Sequence, residues 1–173
     1  MDKYVNMTDI ILPAGETEPQ MVALIELLFF AYRDFVSDPD EVLQDIGFGR
    51  AHHRVVHFIG RAPGMTVAQL LDILRITKQS LGRVLRDLVE KGYVYQKEGE
   101  TDRRQRLLYL TGQGEELLRR LMAPQAARIQ RAIAQTGLAA SVYERALLHL
   151  VNPENRAAVQ EWVAAAGRGA SNG

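Results

Sequence analysis

Apolar residues recur at helical spacing along most of this chain, and the pattern changes character only between about residues 93 and 110. Met21, Val22, Leu24, Ile25, Leu27, Leu28, Phe29, Phe30, Tyr32, Phe35 and Val36 leave little polar face, so a helix is predicted over residues 17 to about 36, opened by Thr17 and Pro19. A helix apolar nearly all round has to be covered on several sides, by its own core or by a second subunit. Ser37-Asp38-Pro39 starts a turn or one-turn helix that ends at Gly47-Phe48-Gly49, and Arg50 to Gly60 reads as a helix stopped by Ala62-Pro63-Gly64. Two short helices follow, each behind a threonine N-cap, Thr66 and Thr77. In the second, Leu81, Val84, Leu85 and Leu88 form one stripe, which turns Lys78, Gln79, Gly82, Arg83 and Arg86 outward.

Gly92 supplies the left-handed residue that ends this helix, after which 93–97 and 106–110 read as short strands joined by Gly99 to Gln105. Thr111 to about Thr136 is a long helical stretch, with a kink expected near Leu121 because Pro124 lies inside it. Gly137 closes it. A further helical region from Ala139 breaks at Asn152-Pro153 and resumes toward Ala166. The expected fold class is mainly α with a small β-hairpin wing: a winged helix-turn-helix plus a helical dimerisation region. Its expected divisions are an N-terminal arm (1–16), a helical dimerisation or core region (17–60), the winged helix-turn-helix (61–111), C-terminal dimerisation helices (112–166) and a flexible tail (167–173).

This arrangement gives the exposed face of the second short helix a chemistry. Lys78, Gln79, Ser80, Gly82 and Arg83 fall in its first turns, where side chains reach base edges in a major groove and Gly82 admits close backbone approach. Arg86 is better placed for phosphate, and the amides behind Thr77 can face one too. The plain alternative is a solvated amphipathic helix in a winged-helix module that binds protein. A second basic element in the loop around Asp102-Arg103-Arg104 favours double-stranded DNA as the partner.

Charge sharpens the picture only when divided along the chain. The formal net charge is zero, yet residues 1–49 carry ten acids against Lys3 and Arg33, while residues 61–106 carry ten bases against six acids. The opening segment is therefore about −8 and the middle about +4, and the neutrality is regional cancellation. Cysteine is absent, which excludes disulfides, thiol redox switching and thiolate metal ligation. Met21 to Phe30, the longest apolar run, is interrupted by Glu26 and falls short of the ~20 residues a membrane span needs. No secretory signal pattern opens the chain, so a cytoplasmic address is expected and no membrane partner.

His53 and His57 share a helical face at metal-ligand spacing, with His52 beside them. No His-Glu-x-x-His is present and no acid stands at ligand spacing, so structural or pocket-lining histidines are the expectation, with a metal or haem sensor as the alternative reading. No phosphate-binding glycine loop, serine elbow or carboxylate pair suggests catalysis, and no cofactor is expected.

Leu88-Val-Glu-Lys-Gly-Tyr-Val94, followed by Asp102-Arg-Arg-Gln-Arg-Leu-Leu-Tyr-Leu-Thr-Gly-Gln-Gly114, resembles the wing signature of the MarR family of bacterial transcription regulators, an Asp-Arg-Arg, an apolar strand and Thr-x-x-Gly. The element order is similar too, over roughly residues 20 to 150. The resemblance implies a homodimeric repressor on a palindromic operator, controlled by a small-molecule effector. It implies that Asp102 pairs with Arg104 and aims the wing, while Arg103 or Arg104 enters the minor groove. It also implies an effector pocket between dimerisation helices and DNA-binding lobe, for which Tyr32, Phe35, His53 and His57 are the candidates. Arg75-Ile76 stands where that family often has glycine, so either the turn is less tight or Arg75 adds a phosphate contact.

Overall fold

In the computed structural model, residues 19–100 and 102–169 are described, with side chains to residue 165. The expected N-terminal arm, the Thr17 cap and residues 170–173 of the expected tail lie outside them. The elements are α1 (Pro19–Ser37), α2 (Asp40–Asp45), α3 (Arg50–Arg61), β1 (Met65–Thr66), α4 (Val67–Leu74), α5 (Lys78–Glu90), β2 (Val94–Glu98), β3 (Arg106–Leu110), α6 (Gly112–Thr136), α7 (Ala140–Leu150) and α8 (Pro153–Gly169). The chain divides into two compact units, one ending at Phe35 and the other running from Val36.

The N-terminal unit holds most of α1, where most of the large apolar side chains stand open to solvent, Phe29 being 70% exposed, while Val22 and Phe35 are partly buried. In the second unit the core lies under α3, α4, α5, the sheet and the start of α6, built on Val55, Val56, Ile59, Leu70, Leu81, Leu88, Leu108 and Leu121. All four residues of the predicted α5 stripe are buried.

The sheet is larger than the expected hairpin. A third strand, β1, pairs antiparallel with β3, Met65 opposite Leu108 and Thr66 opposite Leu107, giving the order β1-β3-β2. Two residues cannot display a period of two, and Thr66 reads first as a helix cap, which it also is. In β2 and β3 the register sets Tyr95 against Tyr109 and Glu98 against Arg106.

Helix ends follow the sequence signals closely. Gly92 has φ +77 and Gly137 has φ +66, each in the left-handed region. α6 runs through Pro124 without interruption, and α8 continues past the expected end at Ala166 to Gly169. The Thr-x-x-Gly motif closes the base of the wing: Thr111 Oγ1 accepts from the Gly114 amide at 3.1 Å and donates to the Gly92 carbonyl at 2.6 Å. Gly114 is there because a Cβ would run into the carbonyl of Tyr93, so only glycine lets α6 lie this close to the end of α5. Two ion pairs brace α2: Asp38 with Arg128 of α6 at 2.6 and 2.7 Å, and Asp40 with Arg50 of α3 at 2.6 and 3.1 Å. In each, the guanidinium hydrogen bonds hold the aspartate below its ordinary pKa.

Candidate nucleic-acid interface

The two short helices are fixed by side-chain caps at both starts. Thr66 Oγ1 accepts from the Gln69 amide at 3.2 Å, and the Thr66 amide donates to Gln69 Oε1 at 2.8 Å. Thr66 also donates its hydroxyl proton to Gln69 Oε1 at 3.1 Å, so its hydroxyl is occupied within the cap. Thr77 Oγ1 accepts from the Ser80 amide at 3.1 Å and donates to Ser80 Oγ at 2.8 Å, leaving the Ser80 proton able to point outward.

Between them, Arg75 has φ 52 and ψ 41 and is the one non-glycine residue with positive φ among those described. The turn is therefore as tight as a glycine would make it, so of the two alternatives for Arg75-Ile76 the looser turn does not hold. Its guanidinium Nη2 lies 3.5 Å from Asn155 Oδ1 in α8, engaged within the protein.

Along α5, Lys78, Gln79, Ser80, Gly82, Arg83 and Arg86 are all exposed, on the face opposite the buried stripe. A Cβ built on Gly82 would meet nothing within 4 Å, so nothing inside the protein demands glycine there. The helix is seated from behind by α3. Gly49 N–H donates to His52 Nδ1 at 3.2 Å, and His52 Nε2 meets Asp87 of α5 at 3.3 Å. His52 also stacks on Phe48 at 4.5 Å. Lys91 donates to the Ile46 carbonyl at 2.9 Å and lies over the Phe48 ring.

The wing loop is organised by the residues expected to organise it, through different atoms. Asp102 Oδ1 accepts from the backbone N–H of Arg104 at 2.9 Å, a turn formed by the aspartate side chain rather than a carboxylate–guanidinium pair. Gly99 N–H donates to the Gln105 carbonyl at 3.1 Å, and Gln105 N–H to the Asp102 carbonyl at 3.0 Å. A Cβ on Gly99 would press to 2.7 Å from the Asp102 carbonyl oxygen. Arg106 pairs with Glu98 across the strands at 3.0 Å. Arg103 and Arg104 are exposed at the tip.

The effector candidates are divided between the units, Tyr32 and Phe35 in the first, His53 and His57 in the second. His53 is 8% exposed, and its pKa is lowered to about 4, chiefly by burial and then by His57 and Arg54, against a raising influence of Asp40. His57 is lowered by burial and then by Arg61. Their rings meet edge to face at 6.5 Å. Among the described residues no group of three histidines or acids is placed to hold a metal ion.

Sequence reasoning missed a cavity of about 180 Å³ at the base of the wing, lined by Ile59, Pro63, Tyr95, Tyr109, Glu115 and Leu118. Tyr95 and Tyr109 stack across the strands at 5.3 Å under Lys97. Their positions as cross-strand partners become visible only once the register is fixed. No helix among the described residues is long and apolar enough to cross a membrane.

Two capped helices joined by a tight turn, with a three-stranded sheet whose last two strands are joined by a basic loop, define a winged helix-turn-helix protein. Residues 46–105 match the sequence model of the MarR family. The HTH-type transcriptional regulator PetP of Rhodobacter capsulatus is 42% identical over 156 residues, covering 87% of this chain and 94% of that protein. The fold is similar to that of Streptococcus pneumoniae FabT in complex with DNA, with a TM-score of 0.63 and 22% identity over 77% of this chain and 94% of that one. It is also similar to a mutant MarR from E. coli complexed with operator DNA, with a TM-score of 0.58 and 20% identity over 80% of this chain and all of that one. This chain belongs to the MarR family of transcriptional regulators, which are non-enzymatic DNA-binding proteins.

Proposed function

We propose that the protein acts as a homodimer on a roughly palindromic operator, represses transcription there, and leaves the DNA when a small ligand binds. The observation that carries the DNA reading is the α5 face: six polar or glycine positions, all exposed, opposite a fully buried stripe and accompanied by a braced basic loop. In this reading Lys78, Gln79, Ser80, Gly82 and Arg83 meet base edges, Arg86 and the amides behind Thr77 meet phosphate, and Arg104, with Arg103 beside it, reaches the minor groove. Thr66 acts by capping α4.

The dimer is supported by apolar surface that a lone chain leaves uncovered. Leu24, Leu27, Leu28 and Phe29 are exposed on α1, as are Leu147 and Leu150 on α7 and Val163 on α8. Two-fold pairing would set two α5 helices about one DNA turn, ~34 Å, apart. Release requires the ligand to bind the free and DNA-bound states unequally. His53 and His57 in the larger unit, and Tyr32 and Phe35 in the N-terminal unit, are the candidates for contacting it.

Duplexes enriched by the protein from a random-sequence pool provide the test. Sedimentation of protein with an enriched duplex should show two chains per DNA, and protein alone should sediment as a dimer at micromolar concentration. A stable monomer, or a pool with no enriched sequence, would contradict the reading.

A further inference from the structure

The last helix touches its own chain at two places, the turn between α4 and α5 and the helix α3 behind them. Asn155, in the first turn of α8, offers Oδ1 to the Arg75 guanidinium at 3.5 Å, across 80 residues of sequence. Two turns further along, Trp162 packs on Phe58 of α3 at 5.8 Å between ring centroids and leans on the core. The break that aims α8 this way is itself held, since Arg156 Nη2 donates to the carbonyls of His149 and Val151 at 3.3 and 3.2 Å.

Arg75 is an unusual residue to hold. It carries the left-handed turn between α4 and α5, a conformation disfavoured for an L-residue with a Cβ, and sets the direction in which α5 leaves. A side chain fastened at its far end narrows the excursions of that backbone, and with them those of the first turn of α5.

We propose that Asn155 is a positioning residue for DNA recognition: by holding Arg75 it ties the turn before α5 to α8, so that the C-terminal helix sets the stance of the recognition helix. This rests on the DNA-binding reading above for its consequence, while the tie itself belongs to the free protein. Arg75 then serves the DNA through the turn rather than as a phosphate contact, and movement of α8 is transmitted to α5 by this contact.

The test uses Asn155→Ala, Arg75→Gly and the double variant in the full-length protein. Glycine suits a left-handed turn, so Arg75→Gly keeps that conformation open while deleting the tether, the charge and the restraint of a Cβ. The comparison that isolates the tether is Asn155→Ala made in the wild type and in Arg75→Gly. In free protein, amide exchange at Ser80 and Leu81, whose N–H groups Thr77 holds at the start of α5, should rise severalfold in either single variant and no further in the double. On an enriched duplex each single variant should lose about three- to tenfold in affinity, the double no more than either, with the salt slope unchanged. Asn155→Asp should restore or exceed wild-type affinity because a carboxylate binds a guanidinium more strongly, although it adds a negative charge. Unchanged exchange in Asn155→Ala overturns the tie. So do losses that multiply in the double variant, or a salt slope lowered by about one in Arg75→Gly alone, which marks a phosphate contact. Loss of DNA binding by the wild type, with the exchange results intact, would remove the DNA reading and leave the tie standing.

Discussion

Gly82 and Asp102 show how a single side chain, or the lack of one, can be separated from the fold it sits in. An added methyl at Gly82 meets no atom, and alanine is favoured over glycine in a helix interior by about 1 kcal/mol. Gly82→Ala should therefore raise stability by roughly 0.5–1 kcal/mol in denaturant unfolding while weakening binding to an enriched duplex. Stabilisation with unchanged affinity would remove Gly82 from the interface. At the wing, Asp102→Ala frees the Arg104 amide and loosens the loop that presents two arginines. We expect weaker binding in a fluorescence titration, even though deleting an acid beside DNA should by charge alone tighten it. Tighter binding would leave Asp102 without a bracing role. The outward positions of α5 were legible because four apolar residues at fixed spacing leave no other face for them. The atom that Asp102 uses was not, since a carboxylate two residues before an arginine can reach its amide or its guanidinium equally well.

At the scale of elements, α3 carries the most consequential burial outside the interface. His53 resists protonation in the folded protein, so the unfolded chain takes up a proton near pH 6.5 that the native state refuses until about pH 4. Its contribution is intact above pH 6.5 and is lost as the pH falls through this window, by about 3 kcal/mol at 1.36 kcal/mol per pKa unit. His57 acts in the same direction. Urea unfolding at pH 7 and pH 4 should show His53→Gln losing less stability on acidification than the wild type, and equal losses would show that His53 is not shielded. Helix starts and stops were readable because Thr66, Thr77, Thr111, Gly92 and Gly137 each satisfy a local backbone need. β1 was hidden because its two residues acquire strand character only from β3, over forty positions later. The Arg75–Asn155 contact left no trace in either neighbourhood for the same reason.

For the whole molecule, zero net charge conceals a division between an acidic opening and a basic middle, and the basic part coincides with α5 and the wing. The family and the winged helix-turn-helix were both readable in the chain, since the wing signature joins local motifs in a fixed order. How the apolar surfaces of α1, α7 and α8 are covered was not, because a lone sequence shows that cover is needed without showing where it comes from. The central claim is that α5 and the wing read DNA separately. Arg83→Ala should cost about 1–3 kcal/mol on an enriched duplex and flatten discrimination against mutated sites. Arg104→Ala should instead weaken many sequences together and lower the salt slope by about one. Salt-dependent titration of both variants on matched and mismatched duplexes is the most direct measurement. Loss of discrimination in Arg83→Ala alone is the result we expect, whereas wild-type affinity and discrimination in both variants would contradict a DNA-reading role for this face.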